Sequence, residues 1–316
     1  MNGAPIRDNI VAAIEKRDRI ISSLPSPTDA YRLIHSDGDG VPGITVDRLG
    51  PALLVEAHTA SVDLDTVLKW FTEKYDMPIF LKCKYASEQN SKWGVQVAGG
   101  TVSPEIVVVE EGMKFRVNLT GGPHIGLFLD GRSVRRRVRG LADGKRVLNL
   151  FSYTGGFGVA AAIGGARSTT NVDQKRSALR GAKVNYQLNR LPVDGRTFLK
   201  SDAKAYLKKL IKQGYHCDVV ILDPPPSAKR TNRAGFNTRG DYDRWVAMCL
   251  SVLSENGCLV AGLNNQKVSN EEFDEMIARG AMLANKTPKR VDSIPVDADF
   301  PLTPMRPTAR FVHIKL

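Results

Sequence analysis

Acidic residues are in short supply in this chain. Its 316 residues hold 33 Asp and Glu against 45 Lys and Arg, a formal charge of +12. That imbalance suits a polyanionic partner such as RNA or DNA. Cysteine is scarcer still. Cys83, Cys217, Cys249 and Cys258 include no C-x-x-C pair, which argues against a zinc site or a disulfide framework, and no metal is expected. No apolar run is long enough to span a membrane and no leader pattern opens the chain. Both point away from membranes and toward a reducing cytoplasm. Internal repeats and low-complexity stretches are also lacking. What remains is 42% hydrophobic, enough for a real core, over a length that suits one large or two ordinary domains. Oligomeric state leaves no trace in the sequence.

One stretch organises the rest: Val147 to Gly158, reading VLNLFSYTGGFG. It begins as an apolar run of the kind buried on both faces of a sheet. It then breaks into small and polar residues, and a helical apolar run follows from Val159 to Gly164. Gly155, Gly156 and Gly158 lack the Cβ atoms that would keep a nucleotide from approaching the backbone. Acids recur downstream at strand ends. Asp173 follows a strand-like stretch about 20 residues on, where a ribose-binding acid is expected. Asp202 follows a third such stretch and Asp223 a fourth. In open α/β sheets that edge is where ligands bind.

Taken in order, residues 1–29 read as a helix over Arg7–Ser23 and a linker, with a basic face able to touch phosphate. Residues 30–120 read as a small α+β domain. Its strands are Tyr31–His35, Ile44–Asp47, Leu53–Ala57 and Pro78–Tyr85, its helix Val62–Tyr75, and its hairpin Ile106–Glu110 with Met113–Leu119. Ala86–Pro104 reads as a long loop. Asp37 and Asp39 sit in a turn that lacks the glutamate of a calcium loop. Residues 121–316 read as the second domain, and residues 145–316 of it carry an alternating pattern. The strands are Arg146–Phe151, Ser168–Asp173, Thr197–Ser201, Cys217–Asp223, Cys258–Leu263, Arg290–Pro295 and Arg310–Lys315. Helices are expected over Gly156–Ile163, Lys175–Asn189, Ala203–Gln213, Asp241–Ser254 and Asn270–Ala284. The last two strands are too close for an intervening helix and should pair antiparallel. The fold class is therefore α/β: a seven-stranded, Rossmann-like class I methyltransferase sheet with an antiparallel last strand, after a small α+β domain.

Asn149–Phe157 (NLFSYTGGF), with Gly126–Arg132 (GLFLDGR) ahead of it and Asp223-Pro224-Pro225 after it, resembles the bacterial 23S rRNA base methyltransferases of the large-subunit cytosine-C5 and guanine-N7 type. Asp37–Arg48 (DGDGVPGITVDR) matches the N-terminal part of that family. The resemblance covers nearly all of residues 30–316. It implies S-adenosylmethionine as methyl donor, 23S rRNA or a large-subunit precursor as partner, and an RNA-holding role for the α+β domain. Many members carry an N-terminal PUA domain, for which the stretch before residue 30 is too short. By position, Phe151, Tyr153 and Gly155 would surround the donor, Asp173 would accept from its ribose and Asp202 from its adenine amino group. Asp223 would complete the donor site, and Phe128, Asp130 and Arg132 would close over it. Asp173 and Asp202 also read as helix N-caps.

Asp223-Pro224-Pro225 suits base methylation, because proline fixes the backbone and leaves carbonyls free to face an extruded base. A helix opening at Arg132 would turn a cationic face outward, with Arg135 and Arg136 toward RNA. Lys229, Arg230, Arg233 and Phe236 combine charge with an aromatic, the composition of a single-strand contact. Cytosine C5 is a poor nucleophile and normally needs a thiolate. The cytosine-C5 relatives place that cysteine just after the fifth strand. Here the stretch reads Leu259–Gln266 (LVAGLNNQ), without one. Guanine N7 needs only positioning and is favoured. The alternatives are cytosine C5, a small-molecule methyl or aminopropyl transferase, and a non-catalytic RNA-binding protein on the same fold.

Overall fold

In a computed structural model of the chain, the structure describes residues 4–85, 94–195, 197–225, 238–265, 268–301 and 310–316. Contacts divide it into two units, Met1–Asp130 with Asp297–Pro307, and Gly131–Val296 with Thr308–Leu316. Among the described residues no helix is long and apolar enough to cross a membrane.

The first unit opens with helix α1 (Ala4–Ser22), followed by strands β1 (Ala30–His35), β2 (Ile44–Leu49) and β3 (Ala52–Ala57). Helix α2 (Leu64–Lys74), strands β4 (Ile79–Cys83) and β5 (Val95–Ala98), and the hairpin β6 (Glu105–Glu110) and β7 (Met113–Asn118) complete it. The sheet order is β1-β2-β3-β4-β5, with only β3 and β4 parallel. α2 makes that crossover, capped by the Asp63 carboxylate on the Thr66 N–H. β5 corrects the expectation of a continuous loop. Its valines point outward, at 41% and 44% exposure, so no apolar alternation toward a core announces it.

α1 buries Ile10, Ala13, Ile14 and Arg17, the i, i+3, i+4, i+7 stripe of one helix face. Arg17 therefore does not belong to the outward basic face expected of this helix. Its guanidinium grips Asp39 at 2.7 and 2.5 Å and donates to the carbonyl of Asp299 at 3.0 Å. Asp39 also accepts the His35 N–H at 2.6 Å, so the acidic turn is structural. Asp299 accepts from the Arg32 amide at 3.2 Å, and the Arg32 guanidinium lies 4.9 Å from the Phe300 ring centre. These bonds bind Asp299 and Phe300 into the first unit.

Lys82 of β4 and Lys84 just beyond it hold the segment that follows β7. Lys82 donates to the Gly122 carbonyl at 3.0 Å, and Lys84 to that of Pro123 at 3.1 Å. Burial pushes the Lys82 ammonium down to about 8 from 10.5, with Glu56 opposing the shift. The unfolded chain keeps this proton to higher pH than the folded one, so stability should rise as pH climbs from about 8 to 10.5. Lys82→Met should lose that slope in chemical denaturation at stepped pH. Parallel profiles for the two proteins would disprove the assignment.

The second unit holds helix α3 (Arg132–Leu141), strand β8 (Arg146–Leu150), helix α4 (Gly156–Ile163) and strand β9 (Ser168–Asp173). Helix α5 (Arg176–Leu188), strand β10 (Phe198–Lys200), helix α6 (Ala203–Lys212) and strand β11 (Cys217–Leu222) continue it. Helix α7 (Thr238–Ser251), strand β12 (Leu253–Leu263), helix α8 (Asn270–Leu283), and strands β13 (Arg290–Ile294) and β14 (Arg310–Lys315) end it. The sheet order is β10-β9-β8-β11-β12-β14-β13. β14 lies between β12 and β13, antiparallel to both. The expected seven strands and final antiparallel pair are present. β12 starts earlier than expected because Leu253 pairs with Cys217 and Ser254 donates to Asp218 at 2.8 Å. Apolar Val252 and Leu253 fit a helical period equally well, so periodicity alone misplaces that boundary.

The N-terminal edge of this sheet is stapled. Arg146 grips Asp218 at 3.0 and 3.1 Å and holds its carboxyl well below the usual range. The opposite edge is where the strand order reverses, between β8 and β11, and there the loops diverge.

Candidate active site

In-register pairing fixes which residues share that edge. Leu150 lies opposite Val172 on one side and Leu222 on the other, and Lys200 lies opposite Asp173. The sheet thus brings the Phe151–Gly155 loop, Asp173, Asp202 and Asp223 to the C-terminal ends of four adjacent strands. Pro224 is buried and Pro225 exposed beside Asp223. Phe128 and Asp130 belong to the first unit, and Phe128 is 46% exposed.

The loop after β8 is wound against its preferences. Phe151, Tyr153 and Gly155 all have positive φ, at 56°, 47° and 74°. For the two aromatics that conformation costs on the order of 1 kcal/mol each. Hydrogen bonds hold it in place. The Ser152 amide donates to the Val172 carbonyl at 3.0 Å, and the Tyr153 amide to Asp173 Oδ2 at 2.9 Å. Asn185 Nδ2 donates to the Thr154 carbonyl at 2.9 Å. A Cβ on Gly155 would meet the Ala182 Cβ at 2.9 Å, so α5 packs directly on the loop. α4 begins at once with no side-chain cap. Its first amides have no partner within the helix and suit an anionic group.

Behind the loop lies a buried polar network. Asn149 donates to Asn171, and Asn171 to the Tyr186 hydroxyl, each at 2.9 Å. A Cβ on Gly158 would come within 2.2 Å of the Asn171 oxygen. That glycine therefore lets α4 approach β9, which is separate from any nucleotide role.

Each expected ribose or adenine acid is already engaged. Asp173 accepts from Tyr153 and, through Oδ1, from the Lys175 amide at 2.8 Å. Asp202 caps α6 through the Ala205 amide at 2.8 Å and accepts from Gln174 at 2.6 Å. A carboxylate has about four acceptor sites, so both retain capacity for a ligand. The Ser152 hydroxyl is buried with no hydrogen-bond partner among the described residues. A strained loop, open amides, an orphan hydroxyl and acids with spare capacity fit an adenosyl amino acid.

The expectation of an outward cationic face on α3 needs correction. Arg132 is fully buried and Arg135 is 3% exposed. Only part of the arginine run faces outward, with Arg136 half-buried and Arg137 exposed. The Arg135 side chain instead lies where a Cβ on Gly131 or Gly156 would touch it, which makes it a packing partner of the glycine loop. Arg137 is held inside the unit by His313 at 2.8 Å. Lys229, Arg230, Arg233 and Phe236 lie outside the described residues. Sequence reasoning missed Gln174, Asn185 and the Asn149–Asn171–Tyr186 set. The available signal was polar residues inside an apolar strand or on a helix's buried face.

The cysteines of this unit are buried. Cys217 starts β11, Cys249 lies in α7, and Cys258 pairs with Val219, three positions before the ligand edge. Burial pushes all three thiols up, Cys217 to about 12 and Cys258 to about 11. None can serve as a thiolate at neutral pH. Asn264 and Asn265 occupy the exit of β12.

Comparison with known proteins agrees with this geometry. Residues 53–302 match the S-adenosylmethionine-dependent methyltransferase family. The chain is similar to ribosomal RNA large subunit methyltransferase I of Cronobacter sakazakii, 31% identical over 292 residues, covering 90% of this chain and 73% of that protein. It is similar to a ribosomal RNA large subunit methyltransferase of Deinococcus radiodurans, 33% identical and covering 84% and 67%. The crystal structure of SMU.776 complexed with SAH matches with a TM-score of 0.88 at 28% identity, covering 100% of this chain and 82% of that one. A SAM-dependent methyltransferase from Streptococcus mutans matches with a TM-score of 0.86 at 27% identity, with the same coverage. With the fold, the loop and these relatives in agreement, the chain belongs to the S-adenosylmethionine-dependent methyltransferase family.

Proposed function

We propose that the chain methylates a base of large-subunit ribosomal RNA, at guanine N7. The RNA substrate is supported by the two relatives, whose names specify large-subunit ribosomal RNA, and by the charge of +12. The choice of base rests on one observation. Asn264 and Asn265 stand at the exit of β12, where a cytosine-C5 mechanism needs a thiolate, and the cysteines of this unit are buried away from that edge.

The donor, when bound, supplies an electrophilic methyl group on a sulfonium. Guanine N7 carries an available lone pair, so no proton must be removed and no covalent adduct with the protein forms. The work left to the chain is positioning and exclusion of water. In this reading Phe151, Tyr153, Gly155, Asp173 and Asp202 hold the donor. Asp223, Pro224 and Pro225 present a rigid edge to the extruded base. Arg136 contributes to RNA binding, as do Lys229, Arg230, Arg233 and Phe236, while the first unit helps hold the substrate.

Incubation of undermethylated ribosomal RNA with labelled donor, then nucleoside mapping, tests the proposal. The expected product is 7-methylguanosine. Recovery of 5-methylcytidine would overturn the base assignment. Label confined to small molecules would overturn the RNA assignment.

A further inference from the structure

The far edge of the catalytic sheet carries a feature the reading above leaves unused. Among the described residues, β10 is the last strand on that side and pairs only with β9. The Asn171 amide donates to the Thr197 carbonyl and the Ser201 amide to the Asp173 carbonyl. Along a parallel ladder the hydrogen-bonding direction alternates residue by residue. The backbone groups of Phe198 and Lys200 therefore face the open side. Beside the strand lies a groove of about 400 Å³, lined by Phe198, Leu199 and Lys200 of β10, by Ser201 beyond it, and by Tyr206 and Lys209 of α6.

The groove lies in a dense field of positive charge. Residues 199–213 include Lys200, Lys204, Lys208, Lys209 and Lys212, with Asp202 as the only acid. Asp202 caps α6 and accepts from Gln174, and its one negative charge is outnumbered five to one. Lys183 adds a sixth ammonium, 5.9 Å from the Phe198 ring centre. Lys200 and Lys209 are exposed, while Tyr206 is half-buried along the groove. Ammonium groups, outward amides and a ring beside a cleft are the components that grip a phosphate-sugar backbone and support a stacked base. A bare open edge would also accept a protein strand, but five lysines against one acid favour a polyanion.

We infer that the β10–α6 groove is a second RNA-backbone site, holding a single-stranded segment of the substrate away from the base that is methylated. This inference rests on the RNA reading above. β10 is separated from the β8–β11 switch point by β9 and β8, roughly 12 Å at the usual strand spacing. The groove therefore anchors RNA without touching the methyl-transfer position, and its loss affects RNA affinity and leaves donor affinity unchanged.

The test uses the full-length protein, a labelled single-stranded RNA oligonucleotide and fluorescence anisotropy across a salt series. Each lysine–phosphate contact on a single strand contributes about 0.7 to the slope of log affinity against log salt. The double variant Lys200→Ala/Lys209→Ala should therefore lower the slope by about 1.4, and at about 0.1 M salt weaken binding by roughly 25-fold. Lys200→Arg/Lys209→Arg should bind as the unmodified protein does. Calorimetry with S-adenosylmethionine should give equal donor affinity for all three, which also reports that each is folded. If the unmodified protein binds RNA and the alanine variant binds it equally with the same salt slope, this site is overturned and the open edge is left to a protein strand. If the unmodified protein binds no RNA, both this site and the RNA reading fall.

Discussion

Asp173→Ala is expected to weaken S-adenosylmethionine binding by roughly a hundredfold, about 2.8 kcal/mol at 1.4 kcal/mol per decade. Two losses combine. The carboxylate is the acceptor proposed for the donor's ribose, and a hydrogen bond to a charged group contributes about 1.5–3 kcal/mol. It also restrains Tyr153 through the 2.9 Å bond to its amide. Without that bond, Tyr153 is freed from its left-handed conformation at φ 47°, and the loop pays an ordering cost on binding. Asp173→Asn keeps one carbonyl acceptor and should fall between the two. The strand itself should persist, since Asn171 and Val172 keep their partners on β8 and β10. Isothermal calorimetry on the three proteins decides the matter. Equal donor affinity for aspartate and alanine would sink the assignment.

The second large effect is on stability. Arg17 is fully buried and binds Asp39, the Asp299 carbonyl and, at 3.3 Å, the Arg32 carbonyl. Arg17→Met removes every one of those bonds and leaves the Asp39 carboxylate buried with only part of its partners. Removing one member of a buried pair typically costs about 3–5 kcal/mol, because the remaining charge keeps its desolvation penalty. Native-state hydrogen exchange should show it locally. Core amides of the first unit, such as Leu33, Ile34, Val46 and Val55, should open about 10²- to 10³-fold more readily. Amides of β8 and β11 serve as an internal reference and should be unchanged. A loss below about 1 kcal/mol in the first unit would mean that Arg17 contributes packing alone.

Strand and helix order in the second unit was legible in the residues. β9, α4 and β14 have the bounds their patterns specify, because β-branched runs, a small-residue apolar run and the glycines and turn residues that flank them are local signals. The acids at the strand ends were equally legible. A strand's last residue sits at the sheet's ligand edge whatever its side chain packs against. β5 and the start of β12 were not legible, since each depends on a partner strand far away in sequence. The arginines of α3 misled for a related reason. A sequence window records that Arg132 and Arg135 are charged, but not that neighbouring elements bury them.

Periodicity and glycine placement by themselves specified a seven-stranded α/β sheet with an antiparallel last pair, and the motif resemblance added the methyl donor. These are local properties, written in the spacing of residues along one chain. Only the tertiary structure decided which amides Asp173 and Asp202 hold, that Arg17 is an internal ion and that β10 leaves an open, lysine-lined flank. Hydrogen-bond geometry and burial depend on which distant segments meet, and no stretch of sequence contains that information alone.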